Sequence, residues 1–233
     1  MLIAGSVLIA WLLRGWKFAT FTAVGLVGIG LVGMWQPSLV TLAQLVVAVV
    51  IAIVVSVPIG IFVGRRPRLE AALEPGLDAL QTIPSLVYAI PFVMLFQVGY
   101  VPGLLATVIY AIPPGIRLTA LAIKQVNPET LEASTTFGAT PRQRLWGVHV
   151  PLAMKGIMLA LNQVIMMALS MVVIASMIGV PGLGQPVLKA IANQYFTMGI
   201  LNGLAIVGIA IVFDRASQAY GRRIQKHLEV QHG

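Results

Sequence analysis

The sequence predicts an all-α fold, a polytopic membrane helix bundle of six to seven transmembrane helices. Three observations predict it. Of 233 residues, 58% are hydrophobic and only 9% charged. The mean hydropathy is +0.94. The apolar residues also gather into long runs, several close to the ~20 residues that a spanning helix needs. A soluble domain averages about 25% charged and about 45–50% apolar residues. An ordinary cytosolic enzyme, a nucleic-acid-binding domain and a disordered chain are therefore excluded. The net charge of +8, on so little polar surface, reads as charge that sets membrane topology. There is no cysteine, hence no disulfide framework, thiolate metal site or cysteine nucleophile. His149, His227 and His232 are scattered along the chain, and no catalytic group or metal site is predicted.

The first apolar run, 1–13, ends at Arg14. It is short for a span and lacks the basic start of a secretory leader. It reads either as a partial first helix or as the interior of a longer reading frame. The run 18–35 closes at Gln36-Pro37. The run 39–63 closes at Gly64-Arg65-Arg66-Pro67-Arg68, and Pro58 is expected to kink it. The fourth run, 79–98, is broken by Pro84 and Pro91, and the fifth, 101–122, contains Pro113-Pro114. The sixth covers 156–178 and the last 198–213. Residues 1–35 are assigned to N-terminal peripheral helices, 36–220 to a transmembrane domain and 221–233 to a tail.

If every run from residue 18 onward crosses once, 14 of the 15 Lys and Arg fall on one side, Lys189 being the exception. Short basic connections stay in the cytoplasm. That rule places the C-terminus and the polar 123–155 loop inside. Arg117, close to a helix end, is expected to snorkel there.

The 123–155 loop is organised. Asn127-Pro128-Glu129 has the form of a helix start, with an Asn cap, Pro at the first helical position and an acid in the first turn. Residues 131–137 make about two turns, and Gly138 suits the exit. Thr140-Pro141 opens a second short helix in the same way. The chain returns to the membrane at Val150-Pro151. Two capped helices suit docking to a partner. With Arg142 and Arg144 they equally suit a hairpin lying on lipid headgroups, and these residues alone leave both readings open.

Glu132-Ala133-Ser134, three residues, Gly138, nine residues, then Val148-His149-Val150-Pro151 resembles the cytoplasmic EAA loop of ABC-importer permeases. The family pattern is Glu-Ala-Ala, three residues, Gly, nine residues, Ile-x-Leu-Pro, from which Ser134, Val148 and Val150 depart conservatively. Gln81-Thr82-Ile83-Pro84-Ser85-Leu86-Val87-Tyr88, Val101-Pro102-Gly103-Leu104, Ile112-Pro113-Pro114-Gly115-Ile116-Arg117-Leu118-Thr119, Phe137-Gly138-Ala139-Thr140-Pro141-Arg142-Gln143 and the stretch 162–184 look like the glycine betaine/proline betaine permeases. The likeness covers residues 18–220.

The resemblance implies the MetI-like permease fold. It also implies an ATPase-coupling loop carried by Glu132, Ala133, Ser134, Gly138, Ala139, Pro141, Arg142 and Pro151. This chain would be a non-catalytic transport subunit in the bacterial inner membrane, binding no cofactor itself, with ATP and magnesium on a partner. The implied partners are a cytoplasmic ABC ATPase subunit, a separate extracytoplasmic substrate-binding protein, a second copy of the chain and membrane lipid, but no nucleic acid. The implied cargo is glycine betaine or a related quaternary amine. Choline, carnitine, proline and trimethylamine oxide stay open, because the binding protein reads the ligand. A self-contained secondary carrier would need intramembrane ion-coupling residues. An intramembrane enzyme would need paired acids, a His cluster or a Ser/Lys pair, and the spans show none of these.

Tyr88, Phe92 and Phe96 recur every four residues on one helical face. Aromatic faces attract quaternary ammonium ions by about 0.5–2 kcal/mol per contact, so these three are candidates for a substrate path; ordinary packing is the competing reading. Asn162 and Ser170 are further candidates. With Gln163 and Ser176 they either bond to a neighbouring helix or line a wet cavity. The Gly/Pro-rich segment 179–186 is expected on the outer side, as a re-entrant loop or as a plain turn before an interfacial helix. His149 reads as structural.

Overall fold

The computed structural model describes residues 16–31 and 33–230. The apolar run 1–13 and the last three residues lie outside them. The described residues form ten α-helices in order. They are α1 (Trp16–Leu31), α2 (Trp35–Gly64), α3 (Pro67–Thr82), α4 (Ala89–Phe96), α5 (Tyr100–Lys124), α6 (Pro128–Thr136), α7 (Pro141–Arg144), α8 (Val150–Met177), α9 (Gly184–Ala192) and α10 (Phe196–Val230). A 3₁₀ turn, Ser85–Tyr88, precedes α4, and a π-turn, Leu145–His149, joins α7 to α8. The described residues contain no strand.

Among the described residues three helices are long and apolar enough to cross a membrane: α2, α5 and the continuous rod Pro141–Met177. The bent pair of α3 with Ser85–Phe96 is long and apolar enough only when its two halves are counted together, and Thr22–Leu31 and Phe196–Val212 are shorter apolar segments. α2 and α5 run on as helices through Pro58 and through Pro113-Pro114.

The core lies where α5 packs between α2 and α8. Leu45, Val49 and Ala52 of α2 meet Ala111 of α5 and Val164, Ile165, Ala168 and Leu169 of α8. Lipid is as apolar as leucine, so burying leucine against leucine gains little here. Close van der Waals approach between small residues does more. α2 supplies that approach with Ala48, Ala52, Ser56, Gly60 and Gly64, one every fourth residue. A Cβ placed on Gly60 would lie 2.5 Å from the Thr119 Cβ, and one on Gly64 2.6 Å from the Ala120 carbonyl oxygen. On the other side of α5, a Cβ on Gly156 would lie 2.4 Å from the Ala122 Cβ.

The fourth apolar run departs from a simple crossing. It is split by a 107° bend between α3 and Ser85–Phe96. Pro84 disfavours helical backbone at the residue before it, and Ile83 is accordingly extended (φ −66°, ψ 127°). α3 buries none of its residues and carries Glu70, Glu74 and Asp78 at four-residue spacing. Lys124 Nζ donates to both Glu70 carboxylate oxygens, at 3.0 and 2.9 Å. Arg117 donates to Asp78 and, at 2.6 Å, to Gln81 Oε1. Arg117 is thus held by protein groups instead of reaching for headgroups, and the connection after α2 is acidic as well as basic. Beyond the bend, Tyr88, Ala89 and Phe92 pack on Ala106, Ile109 and Tyr110 of α5. The bent pair therefore follows α5 from its end toward its start.

At the end opposite this basic cluster, the Gly/Pro segment forms a turn followed by α9. Gly179 (φ +78°) and Gly182 (φ +135°) take backbone that other residues resist. The Leu183 N–H donates to Thr41 Oγ1 at 2.8 Å, and Leu183 is fully buried. α10 continues unbroken past residue 220, so the boundary expected at 220/221 falls inside a helix.

Candidate functional site

The 125–149 segment is built at the basic end from local capping and two apolar anchors. The Asn127 side chain accepts from the Glu129 N–H at 2.9 Å, with Pro128 at the first helical position. α6 then closes with paired bonds, Gly138 N–H to Thr135 O (2.9 Å) and Ala139 N–H to Ser134 O (3.1 Å). That is a Schellman exit, and it requires the left-handed residue that Gly138 provides at φ +80°. Thr140 and Gln143 form a capping box at the start of α7. Arg144 ties the two short helices together by donating to Thr135 Oγ1 at 3.1 Å. Leu131 and Leu145 pack on the cluster of Ala122, Ile123, Val126, Val150, Ala153 and Ile157. His149 Nε2 lies 2.8 Å from the Ile123 carbonyl oxygen and fastens the returning end of the loop to the end of α5.

The second capped element is not a separate helix. α7 passes through the π-turn directly into α8, forming one helix of 37 residues, Pro141–Met177. Proline inside a helix normally clashes with the carbonyl four residues earlier. Pro151 looks back to Gly147, inside the π-turn Leu145–His149. The wider turn relieves that clash, so the rod survives its proline.

Of the predicted loop residues, Glu132, Ala133, Gly138, Pro141 and Arg142 are exposed, while Ser134, Ala139 and Pro151 are half-buried. Phe137, at the C-terminal cap of α6, is 91% exposed, and Trp146 is 61% exposed. The sequence reading gave these two rings no role; the available signal was a large apolar side chain between a polar helix and an αL glycine. The loop therefore offers a rigid surface with open aromatic rings, fixed to the membrane core at both ends.

The candidate path residues are not gathered into one cavity. Tyr88 ends the 3₁₀ turn, is 7% exposed, and packs edge-on to Tyr110 with ring centroids 5.8 Å apart. Phe92 is half-buried against the same cluster, and Phe96 is 52% exposed. The three thus pass from buried to open along the bent pair. Asn162 is half-buried in α8. Ser170 is exposed, and its hydroxyl donates back to the Met167 and Met166 carbonyls at 2.8 and 3.1 Å. Among the described residues no three His, Cys, Asp or Glu side chains come together as metal ligands.

Over residues 56–226 the chain matches the family described as binding-protein-dependent transport system inner membrane component. It is 49% identical over 215 residues to the glycine betaine/proline betaine transport system permease protein ProW of Escherichia coli strain K12, covering 92% of this chain and 61% of that protein. It therefore spans less than two thirds of that relative. It is 46% identical over 210 residues to the glycine betaine transport system permease protein OpuAB of Bacillus subtilis strain 168, covering 90% of this chain and 74% of that one. Among solved structures, an inward-facing MetNI methionine ABC transporter chain aligns with a TM-score of 0.67 at 22% identity, covering 84% of this chain and 95% of that chain. That likeness is one of fold. The all-helical bundle, the match over residues 56–226 and the kinship with these permeases together make this chain a member of the binding-protein-dependent transport inner-membrane component family, with the MetI-like permease fold.

Proposed function

We propose that the chain is the transmembrane permease subunit of an ATP-driven importer for glycine betaine or a related quaternary amine. The observation that carries the reading is the 127–149 loop. It is capped at each start, locked by Arg144 to Thr135, and exposed across its outer surface. Such rigidity in a membrane protein's loop suits docking to a partner that moves. The partner is a cytoplasmic ABC ATPase subunit, which holds the ATP and magnesium; the chain itself is non-catalytic. An extracytoplasmic binding protein delivers the cargo at the α9 end. Two copies of the chain enclose the path, with both C-termini in the cytoplasm. The substrate class rests on the 49% and 46% identities to glycine betaine permeases. Phe96 and Ser170, both open on the bundle surface, suit a path between copies better than Tyr88, whose ring is covered.

The test is reconstitution. The chain, its ATPase and its binding protein, placed in liposomes, are expected to accumulate labelled glycine betaine only with internal ATP and external binding protein. Accumulation driven by an ion gradient without ATP would overturn the reading in favour of a secondary carrier. ATP-driven uptake of another solute, with betaine excluded, would overturn the substrate alone.

A further inference from the structure

α1 and the first half of α10 wall an apolar groove. α1 ends and α10 begins at the α9 end of the bundle, where Ile29 and Met34 pack with Leu183 and Ala205, so the two helices run antiparallel. The groove reaches from Thr22 and Val212 to Met34 and Leu201. Its volume is about 350 Å³, and every residue lining it except Thr22 is apolar. Gly28 of α1 and Gly208 of α10 open onto it, and a Cβ on either would meet nothing within 4 Å. From Leu201 to Val212 α10 rises ~17 Å. The mean cross-section is then ~20 Å², that of one row of carbon atoms packed at ~4 Å contacts. Another helix, about 10–12 Å across with its side chains, is too wide for it.

We propose that this groove holds one acyl chain of a phospholipid, with the lipid phosphate beside Arg215. Thr22–Leu31 and Phe196–Val212 are apolar segments of a membrane protein, so hydrocarbon is the medium around them. A narrow apolar wall gains dispersion energy only from atoms that lie against it. Charge sets the direction of the lipid. Leu201, Leu204, Gly208 and Val212 line the groove. Arg215, seven residues beyond Gly208, continues that face of α10 and is exposed. Over residues 14–31 and 213–223 the sequence holds Arg14, Lys17, Arg215, Arg222 and Arg223 against one acid, Asp214. At the other end, residues 29–42 and 190–213 carry no charge. A guanidinium pairs with phosphate oxygens, so the headgroup belongs at the basic end and the chain tail points toward α9. The inference depends on neither the cargo nor the number of copies.

The probe is a phosphatidylethanolamine carrying a diazirine midway along one acyl chain, added to nanodiscs that hold the full complex. Irradiation is expected to label residues 22–29 and 201–212 at least fivefold above Val50 and Val54, which are 52% and 65% exposed on α2. Gly28→Leu combined with Gly208→Leu fills the groove. It is expected to abolish that excess and to lower severalfold the phospholipid retained on detergent extraction, read from the mass of the intact complex. Gly30→Leu with Gly203→Leu, at glycines equally open but not lining the groove, is expected to leave both readouts unchanged. Arg215→Gln is expected to lower retention severalfold. Equal labelling of the groove and of α2 would make the lipid ordinary bilayer and overturn the inference. Labelling undiminished in the Gly28→Leu, Gly208→Leu variant would overturn it as well. Full retention in Arg215→Gln would overturn the placement of the phosphate. The chain contains no cysteine, so a Val7→Cys, Gly28→Cys pair reports without background. A disulfide there, in place of lipid labelling, would give the groove to the chain's own first apolar run and overturn the inference.

Discussion

At Gly138 the backbone sits at φ +80°, and a Cβ built there would meet nothing within 4 Å. A larger side chain there has open space around it, so its penalty is purely conformational. An L-residue forced into left-handed backbone loses roughly 1–2 kcal/mol, whereas asparagine tolerates it. Gly138→Val is therefore expected to undo the Schellman exit, swing Phe137 away from its position and reduce betaine-stimulated ATP hydrolysis by tenfold or more. The membrane core should keep its melting temperature, and Gly138→Asn should retain most of the activity. A Val variant with wild-type stimulated hydrolysis would mean that the exit geometry is dispensable. Capping at this scale was readable in advance, because Asn127, Pro128, Thr140 and Pro141 act on backbone within three residues of themselves. The pairing of Arg117 with Asp78 was not readable that way. It joins residues 39 apart in sequence, and only the approach of two helices creates it.

Among the elements, α2 and α5 depend on approach distance more than on apolar area. Gly60 faces the Thr119 side chain at 2.5 Å and the Ile116 carbonyl at 2.8 Å from its notional Cβ. The carbonyl belongs to a packed helix and cannot retreat cheaply. Overpacking of this kind costs about 1–3 kcal/mol. Gly60→Ala is expected to lower the melting temperature of the purified chain by several degrees, while Gly203→Ala, with nothing within 4 Å, leaves it unchanged or slightly raised through better helix propensity. Equal shifts for the two variants would refute the close-approach account. Hydropathy found the long helices because composition alone marks them. The break at Pro84 was legible from the proline itself, but the 107° size of the bend was not, since a run of apolar residues carries no direction. Hydropathy missed the fusion of α7 with α8, since the π-turn depends on where Gly147 sits relative to Pro151.

For the whole molecule, charge distribution predicts sidedness. Gly138→Cys and Arg66→Cys are expected to react with impermeant thiol reagents only from the cytoplasm. Tyr195→Cys, at a site 58% exposed beyond α9, should react only from outside. Labelling of position 138 in intact cells would invert the topology and remove the coupling role with it. The bundle's class and its loop were legible because both are written in local composition and short-range spacing. The acidic face of α3 and the burial of Tyr88 were not, because exposure is a property of the assembled fold. The rod Pro141–Met177 adds a mechanical consequence. Its 37 residues, at ~1.5 Å each, extend about 55 Å, and its first turn is part of the basic-end loop. A tilt of about 5° about one end carries the other roughly 5 Å. A push on Arg142 and a displacement at Met177 are then two readings of a single lever, and probes at the two ends should move with one time constant.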